Sequence, residues 1–301
     1  MTQAVPFGDF VQPFRIERSG LRGRLVRLGG ALEDILGPHD YPPSVASLLS
    51  ETVALAALLS TALKYDGIFT LQTHGDGPVG TMMADVTSAG GLRGYARYAP
   101  DRLAAAEKGP GGIVPRLLGA GHLAFTVDQG SDTERYQGIV ELTGATLADC
   151  AHAYFHQSEQ LESAIVLVSA VGVGGPPRAA ALTLQRLPPA PAADTEELAE
   201  EWRRAVILMS SITKAELLDP DLSPRQILWR LYHRDGVRVF RQRSLRHACR
   251  CSQAKVERTL KSFPRSEIEA MGDDGSVTVT CEFCKANYVF GPEALDALYQ
   301  S

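Results

Sequence analysis

Short runs in which hydrophobic and polar positions alternate dominate the first 186 residues, and this period of two is typical of β-strands. Glycine, proline and aspartate separate the runs, as expected for tight turns. Strands joined by tight turns favour an antiparallel-rich sheet in an α+β fold over alternating βαβ units. The predicted strands cover 68–73, 80–86, 91–98, 122–127, 136–142 and 164–173, with further strand material within 7–27.

The stretch 45–63 has no such alternation and would be apolar on most faces of a helix. It follows Pro42 and Pro43, and it predicts a long helix with Ser44 as N-cap and a stop at Asp66-Gly67. A helix apolar on most faces belongs in the centre of a core. Serine, threonine and glutamate interrupt the stretch, which argues against a membrane span. A shorter helix is predicted over 147–155.

The pattern changes at a proline-rich segment, 187–193, which predicts a stiff linker. Asp194 and Glu197 have the spacing of a capping box for a helix to about residue 218, and a second helix is predicted from Ser223-Pro224 to Asp235-Gly236. This helix pair is too small to bury its two apolar bands alone. The bands must pack on the N-terminal domain, on the C-terminal module or on a partner. Their residues are Val206, Ile207, Leu208, Met209 and Ile212 in the first, and Ile227, Leu228, Trp229, Leu231 and Tyr232 in the second.

Four cysteines near the C-terminus carry the strongest chemical signal. Cys249 and Cys251 form one close pair, and Cys281 and Cys284 form another after 29 intervening residues. Residues i and i+2 of an extended segment point to the same face, so even the tighter pair can present two thiolates to one ion. Two close pairs around a folded insert predict one tetrahedral zinc site per chain.

The two spacings differ in how easily each pair could form a disulfide. Cys281 and Cys284 can reach disulfide geometry in a turn with little strain. Cys249 and Cys251, when extended, are near the upper limit of the Cα separation, so their disulfide is predicted to be more strained and more easily reduced. We therefore expect one pair that oxidises readily and one that follows reluctantly.

The remainder of the C-terminal region is predicted to be small. A helix over 252–262, a hairpin at Asp274-Gly275 and a strand over 277–280 surround the cysteines. So short a module cannot maintain a core unaided, and metal must supply much of its folding free energy. The sequence thus predicts three parts: a core domain, 1–186; a helical linker, 187–244; and a zinc domain, 245–301.

Charge is distributed unevenly along the chain. The 301 residues have a formal net charge of −5, yet 225–265 contains twelve Lys/Arg against Asp235 and Glu257. Positive neighbours favour thiolates, and a basic stretch beside a zinc module also fits a nucleic-acid contact. A solvated basic face is the simpler interpretation for any single arginine.

Other motifs are weaker. The segment 75–80 matches the dinucleotide-binding pattern G-x-G-x-x-G, which requires a helix that begins within it. Pro78 and the strand-like residues after it are incompatible with that helix, so a hairpin turn is predicted. Cys150 does not share a helical face with His152, which favours a buried structural cysteine over a nucleophile. His247 is a poor candidate ligand, because four thiolates complete a closed site. No catalytic signature stands out, so an enzyme is not expected.

Cellular location is inferred from the N-terminus and the cysteines. The first ten residues show no basic segment followed by an apolar one, so no secretory signal is expected. Five cysteines without an export signal indicate a reducing cytoplasm, where metal or redox roles are favoured over structural disulfides.

The chain resembles the bacterial redox-regulated holdase family, the 33-kilodalton heat-shock chaperones. The C-x-C and C-x-x-C pairs match that family in order and separation, and residues 288–290 follow the second pair as the family pattern expects. Two further blocks also match, at 71–80 and from 136–140 to 154–160. The resemblance covers nearly the whole chain.

The resemblance implies a function that agrees with the residue pattern. Members of that family are inactive when reduced and zinc-bound. Oxidants such as hypochlorous acid, or peroxide with heat, produce two disulfides, release zinc and unfold the linker, and the exposed surface holds unfolding client proteins without ATP. Carried onto this chain, Cys281–Cys284 would form first and Cys249–Cys251 second. Activated members tend to dimerise, which makes a homodimer an expectation here.

The main alternative is a zinc-ribbon nucleic-acid-binding protein that uses the 225–265 stretch. Such a protein would need base-stacking aromatic residues beside the arginines. Trp229, Tyr232 and Phe240 look more like core residues, so nucleic acid is the less favoured partner. A metalloenzyme is disfavoured because four protein ligands leave zinc no open position.

Overall fold

The strand-forming residues of the N-terminal region assemble into two sheets. The computed structural model describes residues 7–130, 133, 135–156, 161–172, 174–186, 195–272 and 275–300. Within these ranges the chain forms two compact units, Met1–His247 and Ala248–Ser301. The predicted α+β class with antiparallel-rich sheets is confirmed.

The first sheet joins both ends of the first unit. Its order is β10-β1-β2-β9-β8, with β11 also paired to β1, and all of its pairings are antiparallel. Its strands are β1 (Phe10–Ile16), β2 (Arg22–Leu28), β8 (Ser163–Ala170), β9 (Arg178–Gln185), β10 (Val237–Val239) and β11 (Arg243–Ser244).

The second sheet is made mostly of residues nearer the middle of the chain. Its order is β12-β5-β4-β3-β6-β7, antiparallel except where β12 runs parallel to β5. Its strands are β3 (Ile68–Gly75), β4 (Val79–Thr87), β5 (Gly91–Tyr98), β6 (Gly121–Asp128), β7 (Tyr136–Glu141) and β12 (Arg246–His247).

A central helix, α2 (Pro43–Ser60), contacts strands of both sheets. By length and composition alone it could span a membrane, but 78% of its most apolar window is buried inside the protein. Its apolar character therefore reflects its place in the core, as predicted. The predicted ends of this helix were wrong: Pro42 is the N-cap residue, the Ser44 hydroxyl instead bonds to Glu107, and the helix ends before Asp66-Gly67.

Shorter helices complete the first unit. Those near the sheets are α1 (Gly30–Leu36), α3 (Pro100–Glu107), a π-helical turn (Val114–Leu118) and α4 (Leu147–Tyr154). The later ones are α5 (Thr195–Ser210), α6 (Lys214–Leu218), α7 (Pro224–Tyr232) and a 3₁₀ turn (His233–Asp235). The predicted single helix to about residue 218 was wrong, because Thr213 starts a new capping box with Glu216 and divides it. Asp194 lies outside the described residues.

The glycine-rich segment 75–80 is a hairpin turn between β3 and β4, as predicted. A Cβ at Gly75 would lie 2.1 Å from the carbonyl oxygen of Leu118, and one at Gly77 would lie 2.5 Å from that of Leu117. The glycines are therefore explained by the close approach of the π-helical turn, and no phosphate-binding role is needed for them.

The second unit contains α8 (Gln253–Leu260), α9 (Arg265–Ala270), β13 (Val277–Thr280), β14 (Asn287–Phe290) and α10 (Pro292–Gln300). Strands β13 and β14 pair antiparallel. The residue Asp274, predicted in a hairpin, lies outside the described residues. The chain passes between the units after His247, and Leu245 is buried in the core of the first unit. Residues 195–247 therefore belong to the first unit, and the predicted division at 187 and 245 stays a prediction.

Candidate metal centre

The second unit has a very small hydrophobic core. Its buried members are Leu260, Ile268, Val277, Phe290, Leu295 and Leu298. A single core in a domain of fewer than about 70 residues rarely contributes more than about 3–5 kcal/mol to stability. A core of this size cannot offset the ordering of more than fifty residues, so a further source of folding free energy is required.

The first cysteine pair lies at the start of this unit, in a short segment between β12 and α8 that has no regular secondary structure. The Sγ atoms of Cys249 and Cys251 are 3.4 Å apart, as expected for positions i and i+2 on one face. Directly after them, the Ser252 side chain accepts a hydrogen bond from the backbone N–H of Lys255 and caps α8. The Lys255 ammonium donates to the carbonyl oxygen of Arg250 at 2.7 Å. These bonds fix the backbone on both sides of Cys251.

The second pair lies in the turn that joins β13 to β14. The backbone N–H of Cys281 donates to the carbonyl oxygen of Ala286, and that of Lys285 donates to the carbonyl oxygen of Cys281, each at 2.9 Å. Lys285 adopts φ 56°, a left-handed conformation that closes the turn. The turn presents the Cys281 and Cys284 side chains toward the first pair.

The two pairs meet in one cluster. The four Sγ atoms all lie within 4.8 Å of one another, with Cys249 3.8 Å from Cys281 and Cys251 3.5 Å from Cys284. A tetrahedral ion with Zn–S bonds of about 2.3 Å separates its sulfurs by about 3.8 Å. The donor set is all-sulfur, which suits zinc. The four cysteines therefore fit one zinc ion, and His247, on β12, is not part of the group.

Burial and hydrogen bonds give Cys249, Cys251 and Cys284 different pKa values. Burial raises the pKa of Cys249, but bonds from the Cys251 backbone N–H and from the neighbouring thiols outweigh it and lower that pKa to about 7. Burial raises the pKa of Cys251 although the Tyr288 hydroxyl donates to it, and burial raises that of Cys284 to about 12. A bound cation would favour the thiolate form of the cluster.

Cys150 belongs to a different environment. It is fully buried on α4, its thiol donates to the carbonyl oxygen of Thr143 at 3.2 Å, and burial raises its pKa to about 11. The ring of His152 turns instead to the carbonyl oxygen of Ser163, at 2.7 Å. The predicted interpretation of Cys150 as a structural residue agrees with this geometry.

The two apolar bands pack on the first sheet, one of the three predicted possibilities. Met209, Ile227, Leu228 and Tyr232 are buried there, in a cluster that includes Phe14 of β1. Val206, Leu208, Ile212 and Leu231 are partly buried. Ile207 and Trp229 face solvent, with exposures of 69% and 61%. The expectation that Trp229 and Phe240 are core residues was therefore wrong, since Phe240 is exposed as well, and of the three aromatic residues only Tyr232 is buried. Ile207, counted in the first apolar band, does not face the core either.

A buried arginine that was not recognised from the sequence holds the helical segment, which consists of α5, α6 and α7, against the first sheet. The Arg27 guanidinium, only 3% exposed, donates to the carbonyl oxygens of Leu222 at 2.7 Å and Glu216 at 3.3 Å. It also lies 4.9 Å from the centre of the Phe7 ring. The sequence does contain a sign of this role. Position 27 of a strand shares a face with Leu25, and an arginine on an apolar face needs buried hydrogen-bond acceptors.

Comparison with known proteins agrees with this architecture. The family described as "Hsp33 protein" matches residues 9–291. A "33 kDa chaperonin" of Caulobacter vibrioides (strain NA1000 / CB15N) is 40% identical over 293 residues, which cover 94% of this chain and 95% of the relative. One of Azotobacter vinelandii is 38% identical over 97% of this chain and 94% of the relative.

A solved structure has the same fold. The crystal structure of the 33 kDa chaperonin from Thermotoga maritima superposes with a TM-score of 0.81 at 22% identity, over 97% of this chain and 98% of that one. The family match, the sequence identities and the shared fold all point to the same family. The four-cysteine cluster is consistent with it. The chain therefore belongs to the Hsp33 family of chaperones.

Proposed function

We propose that this protein is a redox-regulated, ATP-independent holdase of the cytoplasm, inactive when reduced and zinc-bound. Oxidation would form two disulfides, release zinc and free the 187–244 segment to bind unfolding proteins. The observation that carries the proposal is the four-thiol cluster, with all Sγ atoms within 4.8 Å, in a unit whose own core is too small to fold unaided.

In the reduced state Cys249, Cys251, Cys281 and Cys284 would hold one zinc ion. A structural zinc contributes folding free energy directly, since the unfolded chain has no preformed site. Four thiolate ligands fill the tetrahedron and leave no position for a substrate, which favours a structural role over catalysis.

Oxidation removes the ligands in pairs. Two thiols that form one disulfide lose two electrons and two protons, and a hypochlorite or a peroxide can accept them. Two disulfides, Cys281–Cys284 and Cys249–Cys251, therefore need two equivalents of such an oxidant. Once all four sulfurs are in disulfides none remains a thiolate, so zinc is no longer held and the small unit loses that part of its folding free energy.

The helical segment is the proposed source of the client-binding surface. Eight of its ten apolar band residues are buried or partly buried, seven of them in the cluster on the first sheet, and they would become available on release. Between the segment and the cysteines the chain is short, since β12 ends at His247. The exposed apolar surfaces of two oxidised chains would also pack on each other, so a homodimer is part of the proposal.

The test compares zinc content and aggregation suppression before and after oxidation. We expect about one zinc per reduced chain, little light-scattering suppression of a heat-unfolding client by the reduced form, and strong suppression after peroxide treatment with loss of zinc. Equal suppression by both forms would rule out the switch.

Two serine variants provide a matched pair. Cys281→Ser removes one ligand and should lower zinc content and uncouple suppression from oxidation. Cys150→Ser alters a buried thiol outside the cluster and should retain both zinc and the switch. If a salt-sensitive affinity for RNA or DNA appeared instead, the zinc-ribbon alternative would be favoured.

A further inference from the structure

A cavity of about 180 Å³ opens between the two sheets of the first unit, beside the C-terminal end of α2. One wall comes from the first sheet and contributes Arg22, Arg24 and Gln185. The opposite wall comes from the second sheet and α4 and is largely aromatic. Neither the cysteine cluster nor the buried faces of the helical segment contribute to it.

The aromatic wall has the geometry of a ring-binding surface. Phe69 and Phe125 are stacked with centroids 5.9 Å apart, and Tyr154 meets Phe125 edge-on at 4.3 Å and 85°. Tyr136 continues the wall at 6.0 Å from Phe125. Aromatic side chains in such offset and edge-on arrangements favour a further ring over a flexible alkyl chain. An apolar cavity of roughly 150 Å³ is large enough for benzene, so one ring fits here.

The opposite wall is positively charged. The Arg24 guanidinium donates to the Oε1 of Gln185 at 2.9 Å, and burial, then the charges of Arg22 and Arg243, lower its pKa to about 10. Among the described residues no carboxylate lies in ion-pair contact with Arg22 or Arg24. A half-buried guanidinium flanked by like charges and without an acid has an unmet preference for an anion.

We propose that this cavity binds a small arylalkyl carboxylate, with its ring against Phe125 and Tyr154 and its carboxylate on Arg24. The two walls are suited to the two ends of such a molecule. A neutral aromatic compound would leave the arginines without an anion, and a short aliphatic acid would leave the aromatic wall uncovered.

The test uses the full-length, reduced and zinc-loaded protein with 3-phenylpropionate as the probe, followed by calorimetry and ligand-observed NMR. We expect binding in about the millimolar range or tighter, as suits a ligand of this size. The neutral 3-phenylpropanamide lacks the charge and propionate lacks the ring, and each should bind roughly tenfold more weakly, since a charge-assisted bond or a buried ring is worth at least that factor.

Three variants locate the site. Arg24→Gln should weaken 3-phenylpropionate binding roughly tenfold, whereas Arg203→Gln, which changes an exposed arginine on α5, should leave it unchanged. Ala62→Phe places a ring in the cavity and should abolish binding; circular dichroism checks that each variant is folded. Equal binding of acid and amide, equal loss in both arginine variants, binding that survives Ala62→Phe, or no binding of the acid would overturn the proposal.

Discussion

The hydroxyl of Tyr232 lies 3.4 Å from the carbonyl oxygen of Ala205, and this bond joins the last turn of α7 to α5. Tyr232 is fully buried, and its ring stacks on that of Phe14 at 6.1 Å. One side chain thus connects both helices of the segment to β1. The packing of the apolar bands on the sheet depends on this three-way contact.

Replacing Tyr232 should show how much that contact contributes. Tyr232→Ala leaves a cavity under both helices and should lower the free energy of unfolding by roughly 3–5 kcal/mol, as for other large-to-small aromatic changes. Tyr232→Phe retains the ring and removes one long hydrogen bond, so it should cost no more than about 1 kcal/mol. Urea denaturation of the reduced protein measures both. Similar losses in the two variants would contradict the assignment of the stabilisation to ring packing.

Two glutamate substitutions on one turn of α5 should have opposite outcomes. Met209 is 2% exposed in the cluster on the first sheet, whereas Ile207 is 69% exposed. Met209→Glu buries a carboxylate among apolar groups, which costs several kcal/mol, whereas Ile207→Glu should stay within about 0.5 kcal/mol.

The readout is client light scattering with reduced, zinc-bound protein. If release of the segment exposes the client-binding surface, reduced Met209→Glu should suppress aggregation without oxidant, and reduced Ile207→Glu should remain as inactive as wild type. Activity in the Ile207 variant alone would show that the exposed face of α5, not the buried one, governs the switch.

The order of oxidation is a separate prediction. Cys281 and Cys284 lie in a closed turn, whereas Cys249 and Cys251 are only two residues apart, a spacing that is predicted to strain a disulfide. Cys281–Cys284 should therefore form first. Peptide mass spectrometry on samples quenched during peroxide treatment resolves the order. Early accumulation of Cys249–Cys251, or of a crossed pair such as Cys251–Cys284, would refute it.

Sequence reasoning found the cysteine cluster because ligand spacing is local. Two pairs of thiols at fixed separations restrict the possible arrangements so strongly that the tertiary structure adds little more than distances. The helical bands were also recognisable, since their hydrophobic pattern is local too. The sequence did not show which residues of a band face the sheet. The rotation of α5 about its axis relative to β1 depends on the break in the helix near Thr213, which was not predicted.

The strand β9 shows why part of the fold was missed. Its Ala179–Ala181 run has high helix propensity and low strand propensity, so no strand was predicted there. In the structure this strand lies between β2 and β8, with Ala179 and Ala181 facing α2 and Ala180 facing the later helices. Small side chains are needed where helices pack closely on both faces of a sheet, and that requirement is visible only in three dimensions.

The shortness of β10 and β11 has a consequence for the sheet they cover. Together they pair five residues with the seven-residue strand β1, and they belong to the same 187–244 segment whose release is proposed above. Their departure would turn β1 into an open edge with unpaired backbone N–H and C=O groups. Such an edge can bind an extended chain by β-augmentation. The affinity then comes from main-chain hydrogen bonds, which do not depend on the sequence of the bound chain. Activation would then supply main-chain recognition of unfolded polypeptides together with apolar surface.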